Sequence, residues 1–328
     1  MTDVLGDNLT TSQLGFGGMA LTPVYGDADP AESLATLDHA LDIGVTFIDT
    51  ANVYGGGANE ELISKVVAKR RSEVTLATKF GISGNPAAGE RATRGDRAYV
   101  LQCVDESLGR LNTDVIDLYY LHRLDPNTPI EETVGAMAEL VAAGKVRHLG
   151  LSEVTADELL RAQAIHPIAA VQSEWSIWSR DVEAKVVPTA AELGVGFVPY
   201  SPLGRGFLTG TVDATTLGKN DFRRQIPRFA DGAIDTNQAA VDTVRSVADA
   251  VGATPAQVSL AWLRYKGEQF GLSVVPIPGT RRAKRIDENV ASLSVVLDTA
   301  QLATLDGVAA SVAGARSSDA TWVSSGRE

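Results

Sequence analysis

Four side chains of this sequence, Asp49, Tyr54, Lys79 and His122, form a set that could deliver a proton to a developing alkoxide. A free tyrosine ionises near pH 10, too high for a well-matched acid near neutrality. A neighbouring ammonium stabilises tyrosinate and lowers that value. Asp49 would keep Lys79 charged and in place, and His122 could hydrogen-bond a carbonyl oxygen. A hydride acceptor would then take its proton from Tyr54, which is general acid catalysis. Taken singly, each residue has a plainer account: an ion pair across the interior, a loop tyrosine, a satisfied histidine.

The elements that must position them repeat a short β-branched run, a break and an amphipathic helix. Strands are expected at 13–18, 45–49, 73–79, 115–122, 146–152, 169–172, 196–200 and 273–277. Helices are expected at 30–43, 60–70, 99–111, 130–143, 156–164, 182–193, 237–251, 255–265 and 281–291. Several helices stop at a glycine (Gly44, Gly144, Gly194) suited to the left-handed C′ position. About eight βα units of similar length call for an all-parallel sheet, and eight close into a barrel. The expectation is a single-domain α/β protein, a (β/α)8 TIM barrel over 1–328. A long loop, 204–236, follows the seventh strand, and a C-terminal tail covers 306–328. Loops of that length inside a compact domain usually serve function. Trp322 suggests that part of the tail docks.

A barrel of this kind carries its chemistry at the C-terminal ends of its strands. Of four histidines only His122 closes a strand; His39 lies mid-helix, and His148 and His166 precede their strands. The same filter selects Asp49 and Lys79, with Tyr54 following in a loop whose Gly55-Gly56-Gly57 permits a tight turn. An unpaired lysine in a barrel interior would be costly, and Asp49 is its natural partner.

Acidic residues number 41 against 29 basic, for a net charge of -12, which argues against a large nucleic-acid or anionic-membrane surface. One cysteine, Cys103, rules out an intrachain disulfide and fits a reducing, cytoplasmic compartment. No metal site is expected, no apolar run reaches the roughly 18 residues of a membrane span, and the polar start has no secretory pattern.

Seven motifs stand in order: Phe-Ile-Asp-Thr-Ala-Asn-Val-Tyr-Gly at 47–55, Ala-Thr-Lys-Phe-Gly at 77–81, Asp-Leu-Tyr-Tyr-Leu-His-Arg at 117–123, Gly-Leu-Ser-Glu at 150–153, Val-Gln-Ser-Glu-Trp-Ser at 171–176, Pro-Tyr-Ser-Pro-Leu-Gly-Arg-Gly at 199–206 and Pro-Ile-Pro-Gly-Thr at 276–280. With them the chain resembles the aldo-keto reductase superfamily, and within it the group similar to perakine reductase and bacterial general aldehyde reductases. The resemblance implies a catalytic tetrad of Asp49, Tyr54, Lys79 and His122 and the cofactor NADPH/NADP+. Ser152 and Gln172 would hold the nicotinamide carboxamide, and Tyr200 would stack on the ring. Backbone of Ser201, Pro202, Leu203, Gly204, Gly206 and Leu208 would take the pyrophosphate. Thr280 and Arg285, with Arg281 as a weaker candidate, would take the 2′-phosphate near a helix start. Glu288 and Asn289 would meet the adenine, and Gly18, Met19, Asp49 and Gly279 complete the cofactor contacts. The segment before Gly15 looks short for the family's N-terminal hairpin, and Glu153 stands where many relatives have Asn.

The partner would be a small carbonyl substrate, with pocket walls from Tyr25, Tyr54, His122, Trp175, Trp178 and the loop after strand seven that carries Arg205, Arg223, Arg224 and Arg228, suited to an apolar or aromatic aldehyde. Oligomeric state is not readable. Three rival readings are weaker. Gly15-Phe-Gly-Gly-Met-Ala20 fits a dinucleotide fingerprint, but no helix opens after it. Lys79 as a Schiff-base nucleophile is disfavoured by Asp49, which keeps the amine charged. A cofactor-binding sensor with little turnover would not need a complete tetrad.

Overall fold

The computed structural model of the chain describes residues 2–84, 90, 92–212 and 217–328. Seven parallel strands lie side by side in chain order: β3 (Gly15–Gly17), β4 (Phe47–Asp49), β5 (Thr75–Phe80), β6 (Ile116–Leu121), β7 (Val146–Ser152), β8 (Ile168–Glu174) and β9 (Gly196–Tyr200). The expected eighth strand at 273–277 is not a regular strand. Its backbone still closes the ring: Val275 N–H bonds Phe197 O at 2.9 Å on one side, and Gly15 N–H bonds Pro276 O at 2.9 Å on the other. Pro276 and Pro278 accept from β3 but have no N–H to return, so that ladder runs one way only. The result is a single-domain (β/α)8 barrel.

Helices α1 (Pro30–Asp42), α2 (Ala58–Arg70), α3 (Arg97–Leu111), α4 (Ile130–Ala142), α5 (Ala156–Gln163), α6 (Val186–Leu193), α7 (Ala233–Val251), α8 (Pro255–Phe270) and α9 (Ala283–Ala291) wrap the outside, followed by α10 (Thr299–Asp306). Their starts are written locally. Asp29 caps α1 ahead of a proline, and Thr155 with Glu158 forms a capping box on α5. Between β9 and α7 the chain makes short 3-10 turns at Gly204–Thr209, Phe222–Gln225 and Pro227–Phe229; residues 213–216 of the expected long loop lie outside the described residues. Helix α7 starts four residues earlier than the periodicity suggested.

Two-residue alternation explains how the strands present chemistry. Phe47, Ala77, Leu118, Tyr120, Ala170 and Val198 point into the barrel and pack together. Two residues later on their strands come Asp49, Lys79, His122, Gln172 and Tyr200. Each polar group therefore stands one layer above an apolar plug, on the same face. Gly150 makes room for that plug, since a Cβ there would sit 2.4 Å from the Tyr120 ring.

One expectation is corrected at the other end. The residues before Gly15 do form a hairpin, β1 (Thr2–Val4) paired antiparallel with β2 (Thr10–Ser12). Its loop inserts Leu5 and Leu9 against the interior plug and covers the barrel floor. The turn is tighter than its length suggested because Asp7 and Asn8 adopt left-handed φ of 53° and 57°. His148 meets Asp7 here at 2.9 Å, His39 pairs with Asp287 on the outer helices, and His166 bonds Pro167 O. The three histidines set aside by the strand-end filter thus have partners away from the barrel mouth.

Candidate active site

Asp49 ends β4, Lys79 stands near the end of β5, and His122 follows β6, so adjacent strands deliver three of the four proposed catalytic groups. Lys79 is fully buried, and its ammonium donates to Asp49 Oδ1 at 2.5 Å and Thr50 O at 2.7 Å. Tyr54 comes in from the β4–α2 loop, where Gly55 and Gly56 take φ of 60° and 63° and turn the chain sharply enough to place the ring over the barrel mouth. The Lys79 nitrogen lies 5.2 Å from the Tyr54 ring centroid, and the Tyr54 and His122 rings meet edge to face at 5.8 Å. The four residues that spacing alone could only nominate are one cluster.

Their protonation follows from burial and neighbours. Burial works against the Lys79 charge, but Asp49 and then Tyr54 outweigh it and hold the ammonium above the usual lysine range. Burial raises the Asp49 carboxyl against the pull of Lys79 and Gln172. Burial, then Arg123, then Lys79 push His122 well below the usual histidine range, so the ring is neutral. Tyr54 corrects the expectation of a lowered pKa. Burial raises it, Lys79 opposes, Asp49 adds to the rise, and the net direction is upward. The phenol is therefore protonated and able to donate at neutral pH.

A groove of about 1330 Å³ opens over this cluster, wider than most small-molecule sites. Its wall holds Met19, Tyr25, Asp49, Tyr54, His122, Ser152, Gln172, Tyr200, Ser201, Pro202, Leu203, Gly206, Gly279, Thr280, Arg281, Arg285, Glu288 and Asn289, all singled out from the sequence. Gly18, Lys79, Gly204 and Leu208, also singled out, do not line it.

The donor set fits a nicotinamide cofactor at the catalytic end. Gln172 Nε2 donates to Asp49 Oδ2 at 2.8 Å, which leaves its carbonyl oxygen as an acceptor. Ser152 Oγ accepts from Arg123 at 3.1 Å, which leaves its hydroxyl proton to donate. One acceptor and one donor are what a primary carboxamide requires. At the far end Arg282 and Arg285 line the groove with no acidic partner among the described residues, beside the first turn of α9. The Arg282 amide bonds Thr280 Oγ1 at 3.1 Å.

Three expectations are altered. Trp175 and Trp178 are not pocket walls. Trp175 is fully buried against Phe197, Trp262 and Phe270 with its N–H on Glu183, and Trp178 stacks on Phe207 behind the groove. A strand-end aromatic next to apolar helices gains more by burial than by lining a wet groove. The amides of Gly204, Gly206 and Leu208 turn inward to the carbonyls of Ser201 and Leu203, because left-handed φ at Ser201, Gly204, Arg205 and Gly206 folds this run back on itself. Arg281 is occupied, donating to Gly26 O at 2.9 Å and Tyr25 O at 3.2 Å, so it fastens the loop that carries Tyr25.

Sequence reading also passed over groove residues. Arg123, Arg282 and Trp322 belong to the wall, and so does Arg205 of the arginine-bearing loop expected there. Arg123 immediately follows His122, so the strand-end filter contained it. The tail gave one sign, Trp322, but not the buried Arg316, which grips Glu153 at 2.8 and 2.9 Å and Asp181 at 2.8 Å. Glu153 in turn accepts from Tyr200 Oη at 2.7 Å. Among the described residues no cluster could hold a metal ion, and no helix is long and apolar enough to cross a membrane.

This geometry agrees with what the chain is similar to. The sequence pattern of the Aldo/keto reductase family matches residues 13–310. "Probable aldo-keto reductase 1" of Glycine max is 44% identical over 293 residues, covering 89% of this chain and 83% of that protein. Among solved structures, the thermostable aldo-keto reductase Tm1743 with the inhibitor epalrestat superposes with a TM-score of 0.73 at 30% identity, over 94% of this chain and 99% of that one. The glycerol dehydrogenase AKR11B4 from Gluconobacter oxydans gives a TM-score of 0.83 at 25% identity, over 95% of each chain. An intact Asp-Tyr-Lys-His cluster at the mouth of a (β/α)8 barrel, matched along nearly its whole length, makes this chain a member of the aldo/keto reductase family, an oxidoreductase family.

Proposed function

We propose that the protein reduces aldehydes or ketones to alcohols with NADPH, using Tyr54 as the general acid. The observation that carries the reading is the buried Lys79, paired with Asp49 beneath a protonated Tyr54 and beside a neutral His122. Bound in the groove, NADPH supplies the hydride. The protein's residues supply the rest. Ser152 and Gln172 orient the carboxamide, and Tyr200 flanks the ring. His122 has a buried Nδ1 with no partner. A lone pair is cheaper to leave unmet there than an N–H, so the ring proton sits on Nε2 and is available to a substrate carbonyl oxygen. Tyr54 gives its proton to that oxygen as charge develops, and the Lys79 ammonium stabilises the tyrosinate left behind. In the reverse direction the same tyrosinate is the base.

Arg285 and Thr280 support NADPH over NADH; Arg282 lines the same end of the groove and joins them in this reading, while Arg281, held by Gly26 O and Tyr25 O, does not. A fluorescence titration with NADPH and NADH, followed by 4-nitrobenzaldehyde, tests the proposal. Tighter binding of NADPH and its oxidation on adding the aldehyde are expected. Equal affinity for NADH would overturn the phosphate assignment, and binding without oxidation of any carbonyl would favour a sensor. A buried, unpaired Cys103 is consistent with a reducing, cytoplasmic setting.

A further inference from the structure

We propose that Arg123 is a carboxylate-binding subsite beside the catalytic histidine, so that the preferred substrate is an aldehyde or ketone that carries its own carboxylate. This rests on the reductase reading and narrows it to a substrate class.

Arg123 follows β6 directly after His122 and lines the groove with Tyr54, Ser152 and Trp322. Its Nη1 donates to His122 O at 2.6 Å and to Ser152 Oγ at 3.1 Å, and both acceptors are neutral. The guanidinium carbon stands 5.5 Å from the Trp322 ring centroid. Its Nε is buried with no acceptor. Three other arginines near the catalytic end are matched: Arg223 with Asp221 at 2.7 Å, Arg316 with Glu153 at 2.8 Å, and Arg205 with Glu174 at 3.7 Å; Arg282 and Arg285 stand at the far end of the groove. Among the described residues Arg123 has no carboxylate. Glu153, the acid whose charge Arg123 also influences, is already held by Arg316, Tyr200 and the Ser324 amide.

A half-buried guanidinium without a counter-ion is costly to hold unless a ligand supplies one. Its remaining N–H groups form a planar fork, and the ligand group that matches a fork is a carboxylate. The field of Arg123 already helps to keep His122 neutral. A substrate whose carbonyl meets Tyr54 and His122 and whose anion meets Arg123 would neutralise a cation that has no carboxylate among the described residues. With Trp175 and Trp178 withdrawn into the core, the wall beside His122 keeps Tyr54, Trp322 and this charge.

Two matched pairs of aldehydes test the proposal: 4-carboxybenzaldehyde against methyl 4-formylbenzoate, and succinic semialdehyde against butanal. The wild type is expected to favour the carboxylate of each pair by at least about tenfold in kcat/KM, the worth of a charge-assisted hydrogen bond. In Arg123→Met the ratio should fall to about one, and Arg123→Lys should restore part of it. The ratio is the readout, so a general loss of rate does not confuse it. A wild-type ratio near one overturns the proposal, as does a ratio that survives in Arg123→Met. An unchanged ratio with weakened NADPH binding would assign Arg123 to the cofactor instead. If neither member of a pair is turned over, the reductase reading fails separately. The subsite is then read by calorimetric titration of benzoate into the NADP+-loaded protein. Binding lost in Arg123→Met supports it, and absence of wild-type binding overturns it.

Discussion

Two buried ion pairs sit at the same end of this barrel and are built in opposite ways. Asp49 and Lys79 stand on adjacent strands, β4 and β5, whose backbones are locked by the parallel ladder. Glu153 and Arg316 join the loop after β7 to a tail held by 3-10 turns and side chains, including Arg327 on Glu153 O at 2.6 Å and on Glu158 at 3.1 Å. In the first pair neither partner can retreat. In the second the arginine can leave with its segment and admit water. The first pair holds a charge beneath Tyr54; the second holds Tyr200 by its hydroxyl. Rigidity of the backbone, and not the strength of the contact, separates a pair fixed beneath Tyr54 from a pair that fastens the tail.

The largest expected effect comes from breaking the strand-borne pair. Lys79→Met leaves Asp49 buried without its cation and should cost about 3–5 kcal/mol of global stability. The same change should lower kcat/KM for aldehyde reduction by about 10²- to 10⁴-fold, the worth of a positioned acid. Denaturant unfolding and steady-state kinetics check both, and a stable, active variant would remove the difference between the pairs. Arg316→Met should act locally. Hydrogen exchange across 313–328 is expected to rise toward unprotected rates while global stability changes by about 1 kcal/mol or less. An equal loss of global stability in the two variants would mean the tail is part of the core.

A pH series sharpens the contrast further. Burial alone would raise Glu153, but Arg316 outweighs it and brings the carboxyl to about 2 from 4.5. A depressed carboxyl contributes stability that is complete above its unfolded value and disappears as pH falls through the folded one. Tail protection should therefore be constant above pH 4.5 and be lost between there and about 2. Protection that fades between pH 7 and 5 would point to a different group.

That Asp49, Tyr54, Lys79 and His122 come together was readable from sequence because strand periodicity and the strand-end rule act on local signals. Phe47 to Asp49, Ala77 to Lys79 and Tyr120 to His122 are two-residue steps, and a two-residue step fixes the face. The hairpin at 2–12 was underestimated because left-handed φ at non-glycine Asp7 and Asn8 has no strong sequence mark. The eighth strand was expected as regular at 273–277, but the prolines of Val-Val-Pro-Ile-Pro forbid a two-way ladder. The tail clamp was not legible at all, since Glu153 and Arg316 are far apart in sequence and nothing local couples them. Trp175 and Trp178 failed for a related reason: their burial depends on Trp262, Phe270 and Phe207, which come from later segments.

The most direct test of Tyr54 as the acid is a single turnover of NADPH-loaded protein with 4-nitrobenzaldehyde, followed as a function of pH in wild type and Tyr54→Phe. Burial sets the Tyr54 pKa above 10.0, so the wild-type rate should stay level through neutral and mildly alkaline pH and decline only above about 10. Tyr54→Phe should bind NADPH normally and oxidise it about 10²- to 10⁴-fold more slowly. Oxidation at the wild-type rate in Tyr54→Phe would contradict the account.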